Sequence, residues 1–334
     1  MITFRKIHAA IITLLILITG SVHANYSNSS DCGENNNCCI PTCNCAKGFI
    51  SADFLYWRAY QNGLDTCVCN KSCNTITCNG TIISKVRGET KDLHFKWDAG
   101  YRLGTGYERI GNGWDVAVYW THFHSHARRR QNSDNSHHWK LKYDVVDLIV
   151  GNKFGENTCV TWKPFIGLRA AQIQEKLRSG LINNCAASSL NFSAEFDTLS
   201  AFSSDLAFTR SRDKQKFKGI GPLLGLEAIW NMGCGFSLYA AAAFGTLYGN
   251  YRVRFQEWDV FSLGAEFCKL KSRLHSCQAF TEAEIGVRWQ ACLCGSQLTL
   301  ELGLEQQRYF DHNRLTSYGD LCLGGAYFSA GVAF

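Results

Sequence analysis

Ala326-Tyr327-Phe328-Ser329-Ala330-Gly331-Val332-Ala333-Phe334 alternates without a break. Ala326, Phe328, Ala330, Val332 and Phe334 fall on one side of an extended chain, and Tyr327, Ser329, Gly331 and Ala333 on the other. Such a segment reads either as an edge strand of a soluble β-protein or as a strand of a membrane barrel. The rest of the sequence decides between the two.

An alternating strand that stops on a free phenylalanine resembles the closing strand of bacterial outer-membrane barrels. The resemblance makes Phe334 a candidate membrane-assembly signal. The N-terminus fits the same export route. Arg5 and Lys6 form a short basic region, and Ala9 to Thr19 is an apolar core too short to span a bilayer as a helix. Val22-His23-Ala24 suits cleavage before Asn25. The competing reading is an uncleaved inner-membrane anchor, but no later apolar run approaches the ~18 residues of a helical span. The expected division is a signal peptide over 1–24, a cysteine-rich periplasmic segment over 25–47 and a transmembrane β-barrel over 48–334.

Composition agrees. Thirty Gly, three Pro and 13% aromatic residues suit strands and turns. Lys and Arg number 34 against 28 Asp and Glu, and without Arg5 and Lys6 the excess falls to +4, which gives no case for nucleic acid. Mean hydropathy is near neutral, as expected when lipid-facing and lumen-facing residues alternate.

Ten segments have strand character, near 48–61, 94–108, 114–125, 139–152, 159–174, 218–231, 235–251, 280–291, 297–310 and 323–334. In the second, Phe95, Trp97, Ala99, Tyr101 and Leu103 oppose Lys96, Asp98, Gly100 and Arg102. In the eighth, Ala283, Ile285, Val287 and Trp289 oppose Glu282, Glu284, Gly286 and Arg288. In the ninth, Leu298, Leu300, Leu302 and Leu304 oppose Thr299, Glu301, Gly303 and Glu305. The links alternate: those near 62–93, 126–138, 175–217, 252–279 and 311–322 are long, and those at 109–113, 153–158, 232–234 and 292–296 are short and carry Gly or Asn. This is the pattern of an all-β antiparallel transmembrane barrel with short periplasmic turns and long external loops. About ten strands are expected, with twelve or fourteen if 175–217 and 252–279 hide further strands or an inward-folded loop. Aromatics such as Tyr56, Trp57, Trp114, Trp162, Trp230 and Tyr248 gather near strand ends, where interfacial girdles belong. Arg58 sits on the apolar face of the first strand, where it can snorkel.

Phe54-Leu55-Tyr56-Trp57-Arg58-Ala59 with Gly63-Leu64-Asp65, Phe95-Lys96-Trp97-Asp98-Ala99-Gly100-Tyr101-Arg102-Leu103-Gly104, and Trp114-Asp115-Val116 with Trp120-Thr121-His122-Phe123-His124-Ser125 resemble the first three strands of the Legionella-type major outer-membrane protein family. Tyr143–Leu148, Lys163–Arg169 and Lys218–Leu226 continue the series in order, and the resemblance spans about residue 48 to 334. It implies a pore-forming outer-membrane barrel of the kind found in many copies in chlamydia-like bacteria. The chain departs from that family in its cysteine content.

Seventeen Cys in an exported chain point to disulfides, and the odd number leaves at least one without an intramolecular partner. Cys32, Cys38, Cys39, Cys43 and Cys45 fall in the periplasmic segment, and Cys67, Cys69, Cys73 and Cys78 in the first long loop. The competing reading, a metal held by Cys43-x-Cys45 and Cys67-x-Cys69, lacks the usual zinc spacing, and no metal or other cofactor is expected. His122, His124 and His126 share one strand face beside Arg128-Arg129-Arg130, which suits a metal or, more plainly, a solvated cationic rim at the pore mouth.

The residues expected to line the lumen are Lys96, Asp98, Arg102, Lys163, Arg169, Glu227, Glu282, Glu284, Arg288, Glu301 and Glu305, since in hydrocarbon each Arg or Lys costs roughly 2–4 kcal/mol. Mixed signs imply a weakly selective passage for small hydrophilic solutes, which a ten-stranded lumen partly fills with its own side chains. The expected partners are outer-membrane lipid, those solutes, and through disulfides cysteine-rich envelope proteins or further copies of the chain. Two other classes compete: a non-conducting structural or adhesive surface barrel, and a barrel enzyme built on Asp134 with His137 or His138.

Overall fold

The computed structural model describes residues 47–64, 66–69, 75–78, 81–84, 88–91, 93–110, 113–130, 136–155, 159–183, 207–259, 266–293, 296–315 and 319–334. Ten long strands make one closed antiparallel ring: β1 (Lys47–Gln61), β2 (Trp97–Ile110), β3 (Trp114–Arg130), β4 (Ser136–Asn152), β5 (Val160–Asn183), β6 (Ala207–Gly233), β7 (Phe236–Asp259), β8 (Glu266–Leu293), β9 (Ser296–Tyr309) and β10 (Leu321–Ala333). Each strand pairs with its sequence neighbours, and β1 closes the ring on β10 from Phe49↔Ala333 to Gln61↔Leu321. Phe334 lengthens that seam, its backbone N–H and C=O both bonding Gly48. Between β1 and β2, Thr66–Cys69 pairs with Gly88–Lys91 and Thr75–Cys78 with Thr81–Ser84, while His94–Phe95 pairs with Ala127 and Arg128 of β3. The turn joining β6 to β7 needs positive φ at Gly233, Cys234 and Gly235, and a Cβ on Gly235 would meet the Gln290 carbonyl at 2.2 Å.

The wall is uneven. β1, β2, β9 and β10 have 15, 14, 14 and 13 residues, whereas β5, β6, β7 and β8 have 24, 27, 24 and 28. Within the links expected at 175–217 and 252–279, residues 175–183, 207–217, 252–259 and 266–279 are therefore strand. The β5–β6 ladder runs to Asn183↔Ala207 and the β7–β8 ladder to Trp258↔Glu266. No extra strand enters the ring among the described residues; an inward-folded stretch lies instead at His312–Leu315.

The reason is a reversal of polarity partway up the wall. Near the turn end of β5, Lys163 and Arg169 point inward while Trp162, Ile166 and Leu168 are exposed outward. Further along, Ile173 and Leu177 are the buried inner residues, and Lys176 and Arg178 take the outer face. β6 repeats this with Glu227 inside and Leu224 outside, then Phe217 inside and Lys216 and Lys218 outside; β4 does so with Asp147 and Leu148, then Tyr143 and Lys142. A strand needs ~9–11 tilted residues to cross a bilayer. The outward apolar run from Trp230 to Ile220 in β6 fits that length, and exposed Phe54, Phe244, Ile285 and Leu302 carry the belt around the ring. A continuous exposed apolar belt belongs in lipid. Above the belt the outer face of these strands is charged, and the inner face buries Ile173, Leu177, Phe217 and Tyr143 together with Glu175 and Gln215.

Candidate functional site: the barrel lumen

The lumen has two storeys. The lower one is ionic. Arg102 of β2 donates from Nη2 to both Glu305 carboxylate oxygens of β9 at 2.8 and 2.6 Å, and its Nη1 lies 3.7 Å from Asp53 of β1. Arg169 of β5 is 2% exposed; it donates from Nε and Nη2 to the two Asp147 oxygens of β4 at 2.6 and 2.8 Å, and from Nη2 to Glu282 of β8 at 2.7 Å. Arg288 of β8 bridges Glu301 at 2.6 Å and Glu227 at 2.8 Å. Lys163 reaches Asp115 at 3.0 Å. These groups surround a cavity of about 260 Å³ that extends to the short turns, lined among others by Asp53, Arg102, Lys163, Glu227 and Arg288. Tyr327 donates to Glu284 and also meets the Tyr239 hydroxyl across the cavity.

The upper storey is closed by rings. Trp57, Phe123, Tyr143, Phe280 and Tyr309 are fully buried, with Trp57–Phe123 centroids 5.5 Å and Phe280–Tyr309 centroids 5.6 Å apart. The Tyr143 hydroxyl stands 2.8 Å from that of Tyr309 and donates to Gln307, whose amide donates to Glu305, so the aromatic layer is tied to the ionic one. On it sits the segment between β9 and β10. His312 and Asn313 are 0% exposed and Leu315 3%. Gln215 donates to the His312 carbonyl at 2.7 Å, the Arg314 N–H donates to Gln215 Oε1 at 2.7 Å, and Asn313 donates to the Asn62 carbonyl at 2.9 Å. The His312 ring packs on Phe217 and Tyr251, and burial, then the Arg314 guanidinium, push its pKa down to about 3.

Of the residues expected in the lumen, Arg102, Lys163, Arg169, Glu227, Glu282, Glu284, Arg288 and Glu301 border the cavity and Glu305 is bound to Arg102. Lys96 is exposed, in the irregular residue between the short strand and β2. Asp98 accepts the His126 backbone N–H at 3.2 Å where the β2–β3 ladder breaks. Sequence reasoning passed over Asp53, Asp115 and Asp147. Each sits on the inward parity of its strand, so the alternation rule carried the signal. His312 and its segment had no such signal. His122, His124 and His126 belong to the outward face of β3, not to a loop at the mouth, and the described residues contain no group of three or more potential metal ligands. His137 points inward and His138 outward, and Asp134 lies outside the described residues. So do Cys32, Cys38, Cys39, Cys43, Cys45 and Cys73; of Cys67, Cys69 and Cys78 the backbone alone is described.

The sequence matches the family described as Legionella pneumophila major outer membrane protein precursor over residues 40–332. No curated protein matches. Among solved structures, the outer membrane protease OmpT from Escherichia coli is similar at 12% identity and TM-score 0.42, over 86% of this chain and 96% of that one. A major outer membrane protein from Thermus thermophilus is similar at 12% identity and TM-score 0.35, over 86% and 99%. A Pseudomonas aeruginosa FadL homologue is similar at 9% identity and TM-score 0.35, over 86% and 90%.

Proposed function

Because the chain belongs to the Legionella pneumophila major outer membrane protein family and resides in the outer membrane, we propose that it is a weakly selective pore for ions and small hydrophilic solutes, closed on its outer side by the ring-filled upper storey. The observation that carries this reading is the charged, cavity-bearing lower storey. Charges of both signs at Asp53, Arg102, Lys163, Glu227 and Arg288 face a space of about 260 Å³. Fixed charges of mixed sign favour hydrated passage with little preference between ions. The test is planar-bilayer recording of the full-length exported protein, with its altered gel migration before boiling as proof of a folded barrel. Small discrete steps are expected, and Lys163→Gln, which leaves Asp115 without that cation, should shift the preference toward cations. Folded protein that leaves bilayers silent favours a second reading, a non-conducting structural or adhesive barrel, for which the ring-filled upper storey speaks. This reading assigns the chain no catalysis, and Phe334 the role of an assembly signal.

The cysteines have a separate role in the same proposal. A barrel held by its own ladder folds without disulfides. Cys32, Cys38, Cys39, Cys43 and Cys45 link it to neighbouring copies or to cysteine-rich envelope proteins, and Cys67, Cys69, Cys73 and Cys78 pair locally. Membranes alkylated and run without reductant should show high-mass species that collapse on reduction and vanish when the 32–45 cysteines become Ser. A monomeric band under those conditions would refute cross-linking.

A further inference from the structure

The polarity reversal leaves an array on the outer wall that a pore does not need. Across six consecutive strands, β3 to β8, the registers align His124, Lys142, Gln174, Lys216, Arg252 and Arg273 in one row. Two residues higher the row is His126, Lys140, Lys176, Lys214, Arg254 and Lys271. A third follows with Arg128, His138, Arg178 and Arg212. No Asp or Glu stands in these rows, and Asp144, one row below, is held by His122. Like charges directly opposite one another weaken a sheet. Here Lys140, Lys176, Lys214, Arg254 and Lys271 of the second row are opposed strand after strand, about 5 Å apart across the ladder. Among the described residues the opposite side of the ring carries nothing similar: β1 ends its outer face with Arg58 and Tyr60, β10 with Cys322 and Gly324, and Arg308 of β9 is bound to Asp320 at 2.7 Å.

The height of the array identifies what it faces. In β6 the last apolar outward residue, Ile220, is followed at once by Lys218, Lys216 and Lys214; in β7, Tyr248 is followed by Asn250, Arg252 and Arg254. Each two-residue step on a strand tilted by about 40° climbs roughly 5 Å. On β6 and β7 the cations therefore begin at the edge of the hydrocarbon, and on β6 they continue to Arg212 for about 15 Å, deeper than the roughly 5–8 Å of a simple phospholipid headgroup. An occupant must lay acyl chains on Ile220, Leu224 and Phe244 while offering anionic groups at several heights above them.

We propose that the outer wall of β3–β8 is a docking surface for outer-leaflet glycolipid whose sugars carry phosphate, giving the barrel one lipid-clamped side. The proposal does not depend on conductance. Lys and Arg at fixed spacing on a rigid sheet suit phosphate oxygens, and the adjoining apolar belt selects an amphiphile over a soluble anion.

The test is native mass spectrometry of the full chain in detergent, titrated with diphosphoryl lipid A, phosphatidylglycerol, phosphatidylcholine or soluble pyrophosphate. Lipid A adducts should appear at about tenfold lower concentration than those of any other probe. The variant Lys216→Gln/Arg252→Gln/Arg273→Gln should lose that preference, while Arg58→Gln/Arg308→Gln, equally exposed on the other side, keeps it. Unboiled gel migration reports whether each variant has folded. Should the triple variant fail that check, single Arg252→Gln and wild-type protein in about 0.5 M NaCl, where exposed charges are screened, must both weaken lipid A binding. Equal binding of lipid A by wild type and variant would overturn the proposal. So would equal affinity for pyrophosphate, which marks a soluble-anion site, or displacement of lipid A by a heparin-type polyanion at lower concentration than lipid A itself requires.

Discussion

Arg169→Met is expected to cost the folded barrel about 3–5 kcal/mol, read as a shift in the urea midpoint of the liposome-reconstituted protein. Arg169 makes three charge-assisted bonds, two to Asp147 and one to Glu282, and stacks over the Phe280 ring with its guanidinium carbon 4.6 Å from the centroid. Methionine keeps much of the packing and removes the charge, stranding two carboxylates inside the barrel, one on β4 and one across the lumen on β8. The loss comes from those carboxylates, not from the missing attraction, because a buried pair gains little over well-packed neutral residues. The combined variant Arg169→Met/Asp147→Asn/Glu282→Gln should therefore recover most of the stability. This non-additivity distinguishes a buried network from a set of surface pairs, each of which contributes about 0–1 kcal/mol. A single-variant loss below about 1 kcal/mol would mean that water screens the lower storey far better than 2% exposure of Arg169 suggests.

The same geometry explains which parts of the molecule were legible in the sequence. In the membrane zone the alternation has one sense, apolar outward and polar inward. Arg102, Arg288 and Glu301 could be assigned inward from parity alone, and the short turns fixed the strand order. Above the membrane the sense is inverted. Ile173, Phe217 and Tyr251 still alternate with Lys and Arg, but the apolar face is now the inner one, so 175–217 and 252–279 looked like charged loops. Nothing local marks the crossover. It is set by where the bilayer ends, which no single strand encodes. His312 was illegible for another reason. The stretch 310–320 has no periodicity in sequence, and the burial of His312 comes from Gln215, Tyr251 and Gln278 on three other strands. The exposed position of Lys96 reflects a broken ladder between His94–Phe95 and β2, a defect that parity counting carries straight through.

Opening the upper storey is expected to raise single-channel conductance by about tenfold. The variant replaces residues 311–319 with a four-residue Gly-Ser turn and adds Tyr251→Ala and Tyr309→Ala. The turn removes the buried His312, Asn313 and Leu315, and the two truncations remove rings that would otherwise fill the gap. The turn alone should have a smaller effect, since ten strands enclose a lumen that side chains can fill. Acid offers an independent lever on the same contact. With the His312 imidazole held down to about 3 and near 6.5 once released, the released state binds more protons throughout the interval between them. The contribution of His312 to seating the segment is thus full above pH about 6.5 and falls by up to ~1.4 kcal/mol per pH unit toward 3, while Glu175, which burial pushes up to about 8, acts in the opposite sense. Arg314 on the segment and Glu175 of β5, 3.5 Å from His312 Nε2, are the charged or titratable neighbours that share this contact, together with the hydroxyls of Tyr251 and Tyr309. Relative to His312→Gln, which cannot titrate, the open probability of the unaltered protein should rise progressively between pH 7 and about 4.5, and equal pH profiles would refute this role of His312. A folded plug variant that conducts no better than wild type would show that the rings of β1, β3 and β4 close the barrel without the segment, and would move the weight of evidence to a structural barrel.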